Sequence, residues 1–381
     1  MRKKHFLFAS VLALLCGSST LHAQDFKLTS SGYFKNQGVD VMAFDDIYPE
    51  GHQGGVCIIM NGHRVATNGD IRLEATPGQW QPVPKQLDRK LGDNSITATL
   101  CYPDSSRHLT GFNPMIYPDL HLIYTVNVES KGKNIEVTVD LDRPIPQEFI
   151  GKVGFNLEFF PGSLFGKPWI MDGQSGIFPQ QPNSPLMTTQ PNYLHTGNYH
   201  DGKKSLADMD KLIGKGYSPI VADDIISEPY AKGTKFTSRP DDPYNKVTIE
   251  SLSGDLQLFD GRMNHNNGWF VLRSNIKPGV TKGAVKWIIT PNVVADWMYQ
   301  PVIQTSQIGY HPTQDKEAVI EMDIRDNRKE TAQIIRIDAD GEKVVKNVTP
   351  ANWGKFLRYN YLKVNFTDVK EPGLYKIKYN T

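Results

Sequence analysis

The sequence predicts an all-β protein, a large β-sandwich followed by a small one, and three observations carry that expectation. Runs that alternate apolar and polar residues with period two follow one another along most of the chain, the pattern of half-buried strands. Turn formers are abundant, with 32 glycines and 25 prolines in 381 residues, while helical apolar periodicity is scarce. A strand-like run at Val302 and Ile303 leads into the turn Gly309-Tyr310-His311-Pro312 and a new alternating run from Ala318 to Met322. That is how a second unit begins. With 39% hydrophobic residues, a chain this long buries a substantial core.

The first 23 residues stand apart. Arg2, Lys3 and Lys4 form a basic start, Phe6 to Leu15 is apolar, and Leu21-His22-Ala23 has the small-residue character of a cleavage site. An apolar run of about ten residues is too short to cross a bilayer, which needs about 20. Residues 1–23 are therefore expected to be a signal peptide, and the protein to be periplasmic or secreted. Lipid anchoring at Cys16 is disfavoured because Leu15 stands where a small residue would be expected. Without the leader, Cys57 and Cys101 remain, two cysteines for which sequence leaves open both a disulfide and two thiols.

Residues 24–300 read as one β-sandwich. "FKLTSSGYF" and "VDVMAFDD" alternate, and "VCIIMNGHRVATNGDIRLEAT" divides into three short runs at Asn61-Gly62 and Asn68-Gly69, both strong hairpin signals. "LIYTVNVESKGKNIEVTVDLD" is a hairpin turning at 130–134, with Ile135, Val137 and Val139 on the buried face of its return strand. "KVTIESLSGDLQLFDGRMNHNNGWFVLRSNI" continues with turns at Ser253-Gly254-Asp255 and Asn266-Asn267-Gly268, and "GAVKWIITPNV" closes the series. Between 160 and 245 the chain is irregular and rich in Pro, Gly, Asn and Tyr, which predicts long surface loops, the usual place for binding residues. Ser205 and Gly214 bracket one short helix there. In 301–381 the strands "KEAVIEMDI", "TAQIIRID", "YLKVNFTDV" and "GLYKIKYN", with a turn at Asp338-Ala339-Asp340-Gly341, make the second, smaller sandwich.

A formal net charge of +1, which becomes 39 basic against 41 acidic residues once Arg2, Lys3 and Lys4 are removed, gives no electrostatic basis for nucleic-acid binding. No G-x-S-x-G, Walker loop or strand-linked G-x-G-x-x-G is present. No cofactor is implied. Asp45, Asp46 and Glu50 with His52 offer oxygen and nitrogen donors for Ca²⁺, but EF-hand spacing is missing and a solvated turn accounts for them. His195 and His200, five apart without an HExxH pattern, do not make a metal site. Asp223-Asp224 and Asp241-Asp242 are acidic pairs in loops, and Asp223 and Asp242 are the weak candidates should the sandwich itself be a hydrolase or lyase.

The second unit carries a resemblance. "IQTSQIGYHPTQDKEAVI" is similar to the opening strand of the immunoglobulin-like module that precedes the catalytic barrel in family 9 glycoside hydrolases, the cellulases and related endoglucanases. Gln307, Gly309, Tyr310, Pro312, Lys316, Ala318 and Val319 carry the match, and "DVKEPGLYKIKY" matches the module's closing strand at Asp368, Pro372, Gly373, Leu374 and Tyr375. In such proteins an (α/α)₆ barrel with an Asp-x-Gly-Asp motif and a distant Glu performs inverting hydrolysis. That motif is not found in these 381 residues. The resemblance therefore implies the accessory, non-catalytic part of a β-glucan-active hydrolase, with a polysaccharide or oligosaccharide as ligand and a barrel encoded downstream as partner. A free-standing carbohydrate-binding protein is the alternative. No catalytic residue is assigned.

Six tryptophans are candidates for stacking on sugar rings, although in β-sandwiches tryptophan is mostly core. Trp287, in "VKWII", reads as core. Trp169 and Trp269 border loops and are the binding candidates, with Tyr199. The support role implied by the resemblance predicts an exposed apolar patch on the second unit around Tyr310, Trp353, Tyr359 and Tyr361.

Overall fold

The computed structural model describes residues 25–45, 54–74, 77, 84–104, 120–182, 186–187, 226–263 and 268–379. The leader, Tyr199, the helix expected at 205–213, the loop residues Asp46, Glu50 and His52, the pair Asp223-Asp224 and the histidines His195 and His200 lie outside them. Among the described residues there is no α-helix. Strands dominate, interrupted by three 3₁₀ turns at Gln147–Phe149, Pro161–Ser163 and Gly261–Met263. The protein is all-β, with an immunoglobulin-like unit at its C-terminal end.

Two nine-stranded antiparallel sheets form the large sandwich. The first runs in space Lys27–Leu28, Phe34–Asn36, Val39–Ala43, Val56–Met60, His63–Leu73, Val153–Phe159, Phe270–Asn275, Leu256–Asp260, Ala231–Gly233. The second runs Gln174–Ile177, Pro168–Met171, Lys235–Ser238, Val247–Ser251, Val285–Pro291, Asn134–Leu141, Leu122–Lys131, Ser95–Tyr102, Lys85–Leu91. Period-two alternation explains the second sheet directly. Tyr124, Val126 and Val128 oppose Leu141, Val139 and Val137 in register, and all six are buried. The fully buried Trp287 lies opposite Val137 in the next strand and meets Phe155 of the first sheet edge-on, with ring centroids 5.0 Å apart. Its indole N–H donates to the Ser274 hydroxyl at 3.0 Å.

One turn expectation is corrected. Asn61-Gly62 is a hairpin turn, with φ of 52° and 83°, the primed geometry that suits tight hairpins. Asn68-Gly69 is not. It lies inside one eleven-residue strand, His63–Leu73, where the register shifts against Val56–Met60 so that Val56 opposes Gly69 and Ile58 opposes Ala66. A Cβ on Gly69 would fall 2.6 Å from Cβ of Val56, so the glycine serves a close-packed bulge. The turn expected at Ser253-Gly254-Asp255 carries the chain from one sheet to the other, since Val247–Ser251 belongs to the second sheet and Leu256–Asp260 to the first. Cys57 and Cys101 are not joined in a disulfide, and burial pushes the Cys57 thiol up to about 11.

The C-terminal unit stacks a four-stranded sheet, in the order Val302–Gln304, Glu317–Asp323, Tyr359–Asn365, Ala351–Phe356, on a three-stranded sheet, Gly341–Val348, Ala332–Asp338, Leu374–Lys378. Its core contains Ala318, Ile320, Met322, Ile334, Leu362 and Val364. The core of the large sandwich is a separate cluster that ends at Ile289.

Candidate functional site

Between the two cores lies a cleft of about 450 Å³. The hairpin Phe34–Asn36/Val39–Ala43 supplies one wall. The other comes from Asp323 to Arg325 with Arg358 and Tyr359, and the connecting segment 295–299 closes the end. Two glycine turns seat that segment. A Cβ on Gly38, at φ 66°, would fall 2.6 Å from the Trp297 ring, and one on Gly62, at φ 83°, 2.6 Å from the Tyr299 ring. Without side chains at these turns the two rings rest against the hairpin tips.

Polar contacts hold the segment to both sides. Gln37 donates its amide N–H to the Trp297 carbonyl, and Arg325 donates to the same oxygen at 2.6 Å. The Tyr299 backbone N–H donates to Asp323 at 3.0 Å, and its hydroxyl to Glu321 at 2.8 Å. Directly across the cleft, Arg358 Nε stands 3.6 Å from Asp40 Oδ2. Asp40 is 5% exposed, and burial raises its carboxyl to about 6 against the pull of Arg358 and Lys35.

The aromatic side chains form a chain of neighbours. Trp353 meets Tyr361 at 5.6 Å between centroids, Tyr361 meets Tyr359 at 6.1 Å, Tyr359 meets Tyr299 at 4.9 Å, and Tyr299 meets Trp297 at 6.1 Å. Tyr359 and Tyr361 pair in register with Asp323 and Glu321, on the sheet face opposite the core residues Ile320 and Met322. The Tyr361 hydroxyl also donates to Glu321, at 3.2 Å. Burial first, and then the Glu321 carboxylate, push both phenols up, Tyr361 to about 12. The strip runs from Trp353, 56% exposed at the edge of the sheet, into the cleft. Aromatic faces beside carboxylate, amide and guanidinium groups suit a ligand with apolar faces and a hydroxyl rim.

The sequence-derived candidates fall elsewhere. Trp169 is 5% exposed and belongs to the sandwich core, its ring lying where a Cβ on Gly176 would come within 2.4 Å. A ring so covered offers no face to a sugar. Trp269 is half-buried, edge-on to Phe160 at 4.3 Å. Asp242 is engaged by Arg239, the Tyr244 backbone N–H and Asn245, as a loop organiser would be. Asp45 lies 3.5 Å from Arg89. Among the described residues no three His, Cys, Asp or Glu side chains gather in a way that could hold a metal ion.

The motif residues of the second unit shape its first loop. Gly309 takes φ 81°, and Gln307 is exposed. The Tyr310 ring packs edge-on against Phe366 at 5.1 Å while its hydroxyl donates to the Glu317 carbonyl at 2.7 Å. The Lys316 ammonium, in a side chain 4% exposed, donates to the carbonyls of Pro312, Gln314 and Thr367. Next to Gly373, Tyr375 donates to the Glu371 carbonyl at 2.8 Å. The cleft tyrosines had their signal in the sequence, as aromatics clustered at 297–299 and 359–361; what hid the site was that its walls come from residues over 300 positions apart.

Residues 298–381 match the family model described as the cellulase N-terminal ig-like domain. That Ig-like unit therefore contributes Tyr299, Glu321, Arg358 and the aromatic strip to the cleft. Solved structures give weaker likenesses. HI1317 is 8% identical at a TM-score of 0.27, covering 71% of this chain and 99% of its own. Slr1438 from Synechocystis sp. PCC 6803 is 10% identical at 0.31, covering 76% and 100%. The heparan sulfate lyase HepC from Pedobacter heparinus is 10% identical at 0.25, covering 79% of this chain and 41% of its own. TM-scores at this level do not establish a shared fold. Among curated proteins none matches the chain.

Proposed function

We propose that the chain is the accessory, non-catalytic portion of an exported polysaccharide-degrading protein, of the family 9-like glycoside hydrolase type. Residues 1–23 act as the export signal, residues 24–300 form the sandwich, and the Ig-like unit supports a catalytic (α/α)₆ barrel. The observation that carries the reading is the match of 298–381 to the cellulase Ig-like domain, with Tyr310, Lys316 and Tyr375 in structural roles at the motif positions. The aromatic strip favours a second component of the same reading, direct contact with β-glucan along Trp353, Tyr361 and Tyr359 into the cleft.

Affinity electrophoresis through gels containing soluble β-glucans tests it. Retardation that Trp353→Ala and Tyr359→Ala reduce, with folding intact, supports glycan contact at the strip; unretarded migration on every gel removes it. Release of new reducing ends from these glucans by the purified protein would overturn the non-catalytic assignment. Fractionation of expressing cells tests export, and protein retained in the cytoplasm with residues 1–23 uncleaved refutes that part.

A further inference from the structure

The edge of the first sheet presents one rung to the junction cleft. Lys27, Lys35, Asp40 and Ile59 stand side by side in register across four strands, and all four line the cleft. The neighbouring rung, Leu28, Phe34, Val41 and Ile58, turns the other way: the last three belong to the sandwich core and Leu28 packs against it. Two lysines directly opposite each other on adjacent strands repel. Neither ammonium makes a hydrogen bond or an ion pair among the described residues. A lysine on an edge strand guards it against pairing with another sheet, which accounts for Lys27. It does not account for Lys35, which is one strand in and half-buried.

The opposite wall adds a third cation. Arg358 lies against Tyr359, its guanidinium 5.4 Å from the ring centre, and its Nε stands 3.6 Å from Asp40 with no hydrogen-bond partner. The single carboxylate of Asp40 thus faces Lys35 and Arg358 without bonding either. Arg325 differs, since Asp323 accepts from its Nε and Nη2 at 2.8 and 3.0 Å and neutralises it. Asp25, the remaining carboxylate of the lining, is exposed beside the Gly132 turn. Four cations, Lys27, Lys35, Arg325 and Arg358, against three carboxylates leave the lining one positive charge in excess. Deeper in the same sheet, charge is answered. In the polar rung Asp70, Asn156 and Arg273, the arginine donates to Glu74 at 3.2 Å and the aspartate accepts from Tyr124 at 2.8 Å.

Resting on the glycan contact proposed along the aromatic strip, we infer that the cleft end of that strip takes an acidic sugar residue, a ring bearing a carboxylate or a sulfate. The anion lies against Lys27, Lys35 and Arg358, and the ring against Trp297, Tyr299 and Tyr359. The cleft, of about 450 Å³, falls within the range of about 300–1,000 Å³ common to small-molecule sites. A neutral sugar leaves the ammonium groups unanswered, and a metal cation is repelled by them. An anion supplies charge-assisted hydrogen bonds to ammonium and guanidinium groups, while the apolar face of the ring packs on the aromatic side chains.

The test is isothermal titration calorimetry on the full chain, with cello-oligosaccharides as the neutral ligand and oligosaccharides of matched length carrying a uronate or a sulfate. The better acidic ligand should bind about tenfold tighter or more than the neutral one. Raising NaCl from about 50 to about 500 mM should erase most of that preference. Lys27→Gln combined with Lys35→Gln should bring the acidic and neutral affinities together; if the double variant fails to fold, Lys35→Gln alone decides. The uronate and sulfate arms tell which anion the cleft prefers. No binding by either acidic ligand, equal affinity for acidic and neutral ones, a preference that survives loss of the lysines, or inorganic sulfate bound as tightly as the acidic sugar overturns the proposal. Trp353→Ala reads the strip separately. If it changes neither affinity while the lysine variants remove the acidic preference, the strip contact falls and the cleft site stands. If it weakens neutral binding and no acidic preference exists, the strip stands and the cleft site falls.

Discussion

Raising the pH from mildly acidic to mildly basic is expected to weaken the folded protein, and Glu74 is the residue through which the effect is best isolated. Its side chain is 1% exposed. Burial moves its carboxyl from 4.5 to about 7, with Glu158 pushing the same way and Arg273, Asn156 and Arg72 opposing. The folded protein therefore holds this proton at pH values where the unfolded chain has released it. Stability from that difference is complete below 4.5 and is lost as pH rises through about 7. At about 1.36 kcal/mol for each unit of pKa, the loss amounts to about 3 kcal/mol. Asp70 and Asp40, raised by burial from 3.8 to about 6, act in the same direction over a lower window. Glu74→Gln keeps the shape and an acceptor for Arg273 but cannot ionise. Urea unfolding followed by tryptophan fluorescence, at steps from about pH 5 to about pH 8, should show wild-type stability falling. The variant should gain on the wild type by up to about 3 kcal/mol over the same range. A variant-to-wild-type difference that stays constant with pH would refute the reasoning.

Three further outcomes follow from packing and the junction. Trp287→Ala should cost about 3–5 kcal/mol, since it empties the contact with Phe155 and leaves the Ser274 hydroxyl without its indole donor; thermal unfolding measures it. Gly38→Ala, at φ 66° and with its new Cβ 2.6 Å from Trp297, should loosen the connecting segment at a cost of about 1–3 kcal/mol, and limited proteolysis should then cut faster near residue 297. Tyr299→Phe removes the hydroxyl that donates to Glu321 and should lower the stability of the C-terminal unit by about 1 kcal/mol, seen as an earlier transition in calorimetry.

Most strands were legible because their alternation is written in consecutive residues. Ile135, Val137 and Val139 could be placed on one buried face without any coordinates, and all three are buried. Local signals failed where a distant strand decided the outcome. Asn68-Gly69 has the composition of a turn, and only the approach of Val56 makes it a bulge. Trp169 borders a loop in sequence, yet its strand is held between Gln174–Ile177 and Lys235–Ser238, so its ring is drawn inward. The strands Gly341–Val348 and Ala351–Phe356 escaped notice because their exposed residues lack a buried face to set a period. The polar rung of the first sheet was hidden for the opposite reason. Asp70, Asn156 and Arg273 are far apart in the chain and become neighbours only through register.

The two ring-bearing residues resting on bare hairpin tips have a mechanical consequence. Trp297 and Tyr299 act as a wedge between the units, tied on one side by Gln37 and on the other by Arg325, Asp323 and Glu321. A force pulling on the C-terminal unit is thus passed through backbone carbonyls and packed rings into the sandwich, with little slack to absorb it. Any neighbour fastened to that unit would take its heading from the sandwich, as a blade takes its angle from the haft.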